Sequence, residues 1–176
     1  MLDAYKASLS YINNFTWSTL SLSILLLFLD PAEDKINILG IGFNQSSVVY
    51  IGPFVIIMLL LAKRIVISNA AYIVKTNRKN SDLKKLTKFY PIPEFMRWRS
   101  VSKLETVLLT TFDVALGYLP TFAIFFLLIK IAQDTWIRFL IASIVGILVG
   151  RLVQWNYSVL RFKVYEPLCG KINTPD

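Results

Sequence analysis

Two ionisable side chains stand inside long apolar stretches of this chain, Asp113 in TVLLTTFDVALGYLPTF and Arg151 in GILVGRLVQWNYSVLRF. A charge at the centre of a lipid-facing helix costs at least ~2.5 kcal/mol, so each needs a partner or a wet cavity. An aspartate at depth could relay protons, and an arginine there could draw an anion or fix a carboxylate. Other chemistry is scarce. The chain has no histidine, which removes the commonest general base, the Ser-His and Cys-His pairs and imidazole metal ligands. Its single cysteine, Cys169, excludes an intrachain disulfide and a CxxC metal site. The residues assemble no catalytic set, no metal site and no cofactor motif, and the expectation is a protein that is not an enzyme.

The elements that must position these two residues follow from composition. The 176 residues are 55% hydrophobic and 17% charged, whereas about a quarter of the residues in ordinary soluble domains are charged. Four apolar segments, near 10–29, 48–68, 106–130 and 136–160, are long enough to cross the hydrocarbon layer, which takes about 20 helical residues. The fold class is therefore an all-α integral membrane protein. One four-helix membrane domain fills the chain, with a basic, partly helical loop at 75–104 between helices two and three. The first segment does not read as a signal peptide: Asp3 and Lys6 stand in place of a basic n-region, and DPAED follows LLLFL.

Orientation follows from the basic residues. The 75–104 loop holds Lys75, Arg78, Lys79, Lys84, Lys85, Lys88, Arg97, Arg99 and Lys103 against Asp82 and Glu94. The positive-inside rule makes that loop cytoplasmic, and a four-span chain then has both termini inside a bacterial inner membrane. The 30–47 connection agrees, with Asp30, Glu33 and Asp34 against Lys35. Beyond Lys63 and Arg64 the second segment continues as IVISNAAYIV, so one helix can run to about residue 77. Either it projects into the cytoplasm, or Lys63 and Arg64 lie at depth and line a pore or vestibule. Further on, NSDLKK predicts a helix start capped by Ser81, and YPIP at 90–93 forces extended backbone.

Asp113 and Arg151 each lie ten residues from the cytoplasmic ends of their spans, at Lys103 and Arg161. That is roughly 15 Å at 1.5 Å per residue, and the matched depth predicts an intramembrane Asp113–Arg151 ion pair. Ala142, Gly146 and Gly150 recur every four residues and form a small-residue face for packing within the chain or between subunits. Asn14, Ser18 and Ser21 form a polar stripe expected to face protein or water.

In KKLTKFYPIPEFMRWR, residues 84–99, basic and aromatic side chains alternate. Lys84, Lys85, Lys88, Arg97, Trp98 and Arg99 are candidates for binding anionic lipid headgroups or a soluble cytoplasmic protein. Nucleic acid is disfavoured, because no RNP, helix-turn-helix or phosphate loop accompanies them. The function expected is that of a non-enzymatic inner-membrane subunit that forms homo-oligomers and presents a basic face to a partner, as sensor, anchor or pore component. Small bacterial membrane proteins that accompany a soluble effector in anti-phage defence share this architecture. The alternatives are a self-contained transporter or ion channel and, third, an intramembrane lipid-modifying enzyme.

Overall fold

A computed structural model describes residues 1–28, 35–38, 41–97, 102–131 and 136–170. In chain order the elements are α1 (Leu2–Phe28), a hairpin of β1 (Lys35–Ile38) and β2 (Ile41–Asn44), α2 (Gln45–Thr76), α3 (Ser81–Phe89), α4 (Pro93–Arg97), α5 (Lys103–Ile131), α6 (Trp136–Val159), a π-helical stretch (Leu160–Tyr165) and α7 (Glu166–Cys169). Among the described residues three segments are long and apolar enough to cross a membrane: Ile51–Thr76, Lys103–Ile129 and Phe139–Cys169. They mark the chain as membrane-embedded. The connection expected as a plain acidic loop contains the hairpin, in which Lys35 stands opposite Asn44 and Ile38 opposite Ile41.

α1 is equally long but diluted by hydroxyl and amide side chains. Its buried hydroxyls satisfy themselves: Thr16 donates to Ile12 O at 2.8 Å, Thr19 to Phe15 O at 2.6 Å and Ser23 to Thr19 O at 2.6 Å. Such bonds to the carbonyl four residues back let polar side chains share a face with Leu9, Ile12, Leu20 and Leu26. The stripe singled out in the sequence, Asn14, Ser18 and Ser21, lies on the exposed face of α1, away from these buried hydroxyls.

α2 runs unbroken from Gln45 to Thr76, and its two halves join two different cores. At the hairpin end Leu26, Ile56, Leu60, Ala123, Ile124, Leu127 and Val149 pack together. At the other end Tyr5, Leu9, Ile12, Ile67, Ala70 and Val74 of α1 and α2 meet Leu83 of α3, Ile92 and Phe95 around α4, and Leu160, Val164, Tyr165 and Leu168 of the C-terminal segment. α3, α4 and α7 thereby form a cap on the bundle. α3 is amphipathic, with Leu83 and Thr87 buried and Lys84, Lys85 and Lys88 exposed. Its N-cap is Asn80 and not Ser81, because the Asn80 side chain accepts from Asp82 N at 2.8 Å from an extended backbone. Two side-chain links tie the cap down. Thr87 Oγ1 donates to Leu83 O at 2.8 Å and shares a 2.6 Å hydrogen bond with the Tyr5 hydroxyl. Phe95 and Tyr165 pack with ring centroids 5.4 Å apart.

Candidate functional site

Between the two cores lies a cavity of about 350 Å3, walled by α1, α2, α4, α5, α6 and the π-helical stretch. Its polar lining includes Thr16, Thr19, Lys63, Glu94, Asp113, Gln154, Asn156 and Arg161. Helical periodicity aims these groups inward. On α5, Asp113 shares its face with Pro120, Ile124 and Leu127, all buried, at spacings of seven, four and three. On α6, Asn156 follows the buried Val149 by seven residues. Gly117 sits in the wall with open space where a side chain would be, since a Cβ there meets nothing within 4 Å.

An ion pair in the wall joins the membrane bundle to the cap. Lys63 Nζ donates to Glu94 Oε1 at 2.8 Å, with both side chains buried. The PIP turn that precedes α4 places Glu94 over the bundle, while Phe95 on the next position anchors the turn in the cap core. Asn156 Nδ2 donates to Leu60 O at 3.0 Å, so the amide orientation is set and, among the described residues, Asn156 Oδ1 is a buried acceptor without a partner. Glu94 Oε2 is a second such acceptor. Arg161 Nε donates to Glu166 Oε1 at 3.0 Å across the π-helical stretch. In that stretch the Glu166 N–H bonds Arg161 O, five residues back, a wider turn of a kind frequent at functional sites.

Arg151 is absent from this cavity. Among the described residues no ion pair joins it to Asp113: Asp113 is 8% exposed on the inner wall, whereas Arg151 is exposed on the outside of α6. Arg151 follows the buried Val149 by two residues, a turn of about 200° at 3.6 residues per turn. Equal depth therefore did not imply equal azimuth. Lys63 and Arg64 separate in the same way, with Lys63 in the cavity wall and Arg64 stacked over the Trp155 ring at 4.0 Å from its centroid.

Ala142 is buried, and Gly146 and Gly150 face α5 within the chain. A Cβ on Gly146 would meet Phe125 Cδ2 at 3.5 Å, and one on Gly150 would meet Thr121 Cγ2 at 3.7 Å. Of the basic segment, Lys84, Lys85 and Lys88 form the exposed side of α3, with Lys85 3.9 Å from Asp82 in an open surface pair. Trp98, Arg99 and the Arg97 side chain lie outside the described residues. Sequence reasoning missed Glu94, Asn156 and Arg161 as site residues. Asn156 offered a usable signal, a polar residue seven positions after Val149 on one helix face.

No protein-family model matches the chain, no curated protein matches it in sequence, and no solved structure matches it in fold. The functional reading therefore rests on the residues and their geometry.

Proposed function

We propose that the chain is a non-enzymatic, four-span membrane subunit, with the segment near 10–29 as the further span, that couples its polar cavity to a basic cytoplasmic cap and acts as a sensor or anchor for a soluble partner. The observation that carries this reading is the Lys63–Glu94 contact of 2.8 Å, which makes one wall of the cavity out of the cap itself. A solute or proton that competes for either charge would loosen α4, and α4 leads directly through the YPIP turn to the lysines on α3. Both termini and the cap lie in the cytoplasm of a bacterial inner membrane in this reading, in keeping with the basic 75–104 segment. Membership of an anti-phage defence system rests on analogy of architecture alone.

A self-contained channel is the weaker reading. The polar lining ends where Leu26, Ile56, Ile124, Leu127 and Val149 fill the hairpin half of the bundle, so one copy closes its own path. Gly146 and Gly150 are occupied by α5 and Ala142 is buried, so a homo-oligomer would have to use another face.

The test is purification of the full chain in mild detergent with mass measurement, beside a variant carrying Lys84→Glu, Lys85→Glu and Lys88→Glu. A soluble protein that accompanies the parent chain and is lost from the variant is the expected result. A chain that purifies without any soluble companion from its native host, or one whose companion ignores the charge reversal, would contradict the proposal.

A further inference from the structure

Arg64 and Arg151 are two cations that the cavity does not use. Trp155 lies between them in the sense that matters: Arg64 of α2 covers its ring, and Arg151 stands one helical turn before it on the same face of α6. Arg151 and Trp155 line a groove of about 500 Å3 together with Leu152, Gln154 and Ser158. Among the described residues no ion pair reaches either guanidinium, and Arg64 Nη1 is buried without an acceptor. A guanidinium held over an indole ring can direct its remaining N–H groups to an oxyanion beside the ring, and planar N–H donors of this kind are how arginine recognises phosphate.

Depth selects the source of that oxyanion. At 1.5 Å per residue, Trp155 lies about 28 Å along α6 from Trp136, and Arg64 lies about 28 Å along α2 from Gln45. These lengths match the roughly 30 Å hydrocarbon thickness. With Gln45 and Trp136 at one border of the bilayer, Arg64 and Trp155 stand at the border on the cap side, where tryptophan concentrates. Arg151 starts about 6 Å deeper, within the span of its own side chain. Lipid phosphates occupy that level, and Leu152 offers apolar surface in the same groove.

We propose that the groove lined by Arg151 and Trp155, with Arg64 over the Trp155 ring beside it, binds the phosphate of an anionic phospholipid in the leaflet on the cap side. This site is separate from the lysine face of α3 and does not depend on the cavity.

The experiment is native mass spectrometry of the full chain after exposure to mixed micelles of phosphatidylcholine and phosphatidylglycerol. The expected result is preferential retention of phosphatidylglycerol, with Arg64→Gln and Arg151→Gln each weakening it about tenfold, the scale of one lost charge-assisted hydrogen bond. Trp155→Leu, which keeps both charges, weakens it as well. Where Arg64→Gln fails to fold, Arg64→Lys preserves the charge without the planar fork and is expected to fold and to lose retention. Equal retention of the two lipids, or an equal loss in a Lys84→Gln, Lys85→Gln, Lys88→Gln variant, would overturn the proposal. Displacement of the lipid by inorganic phosphate alone would assign the groove to free phosphate and overturn the lipid assignment.

Discussion

Lys63 and Glu94, thirty-one positions apart, meet at 2.8 Å with side chains only 9% and 12% exposed, and this contact fastens the cap to the membrane bundle. Lys63 comes from the middle of α2, and Glu94 comes from a five-residue helix held in place by the proline before it and the buried Phe95 after it. The relationship builds one wall of the cavity from the cap.

Removing one partner leaves a buried charge alone. One-sided breakage of a buried pair costs about 3–5 kcal/mol in soluble proteins, and polar couplings measured within membranes are nearer ~0.6–1.7 kcal/mol. Glu94→Gln and Lys63→Met are each expected to lower thermal stability in detergent, and the double variant should recover about 1–2 kcal/mol relative to additivity. Strict additivity would show that the contact contributes no coupling.

Asp113 and Arg151 provide the contrasting case. One faces the cavity and the other the outside of α6, so Asp113→Asn and Arg151→Leu are expected to add within about 0.5 kcal/mol. A coupling above ~1 kcal/mol in the double-mutant cycle would bring back the ion pair that their matched depths first suggested.

The small-residue face of α6 separates packing from assembly. Gly146→Leu drives bulk into Phe125, and Gly150→Leu drives it into Thr121. Each is expected to cost about 1–3 kcal/mol by overpacking while leaving the mass of the detergent-solubilised species unchanged. Gly117→Leu points into open cavity and should be tolerated. A change of oligomer mass in the Gly146 or Gly150 variants would place that face between subunits.

Burial pushes the Tyr5 hydroxyl far above the ordinary phenol range, outweighing the opposing effect of its hydrogen bond with Thr87. The folded chain then keeps a proton that the unfolded chain releases near pH ~10, so the stabilisation is present below that pH and is lost as pH rises beyond it. Tyr5→Phe should cost about 1 kcal/mol at neutral pH and should flatten the decline above pH ~10. A parallel decline in parent and variant would show that Tyr5 does not carry this linkage.

The long helices were legible because their signal is local: apolar runs in α2, α5 and α6 read as spans in the sequence and stand as three membrane-length helices in the structure. The site was legible only in part. Asp113 could be singled out as a charge in an apolar run, but its surroundings depend on azimuth, and depth says nothing about azimuth. Glu94 looked like one acidic residue in a basic loop, because nothing near it in sequence shows that Phe95 and Ile92 dock on Leu160 and Val164 and carry it over Lys63. Asn80 was displaced by Ser81 as the expected cap, since both residue types suit the position and the choice is made by backbone geometry. The π-helical stretch left no sequence signal.

Cys169, the chain's single cysteine, packs against the cap core and so reports whether the cap is seated. The most direct measurement is the rate at which a maleimide labels Cys169 in the full chain under native conditions. Glu94→Gln is expected to raise that rate several-fold, and the exchanged pair Lys63→Glu with Glu94→Lys is expected to return it toward the parent value. An unchanged rate in Glu94→Gln, or a rate that the exchange leaves as high as the single substitution, would contradict the claim that Lys63 and Glu94 hold the cap to the bundle.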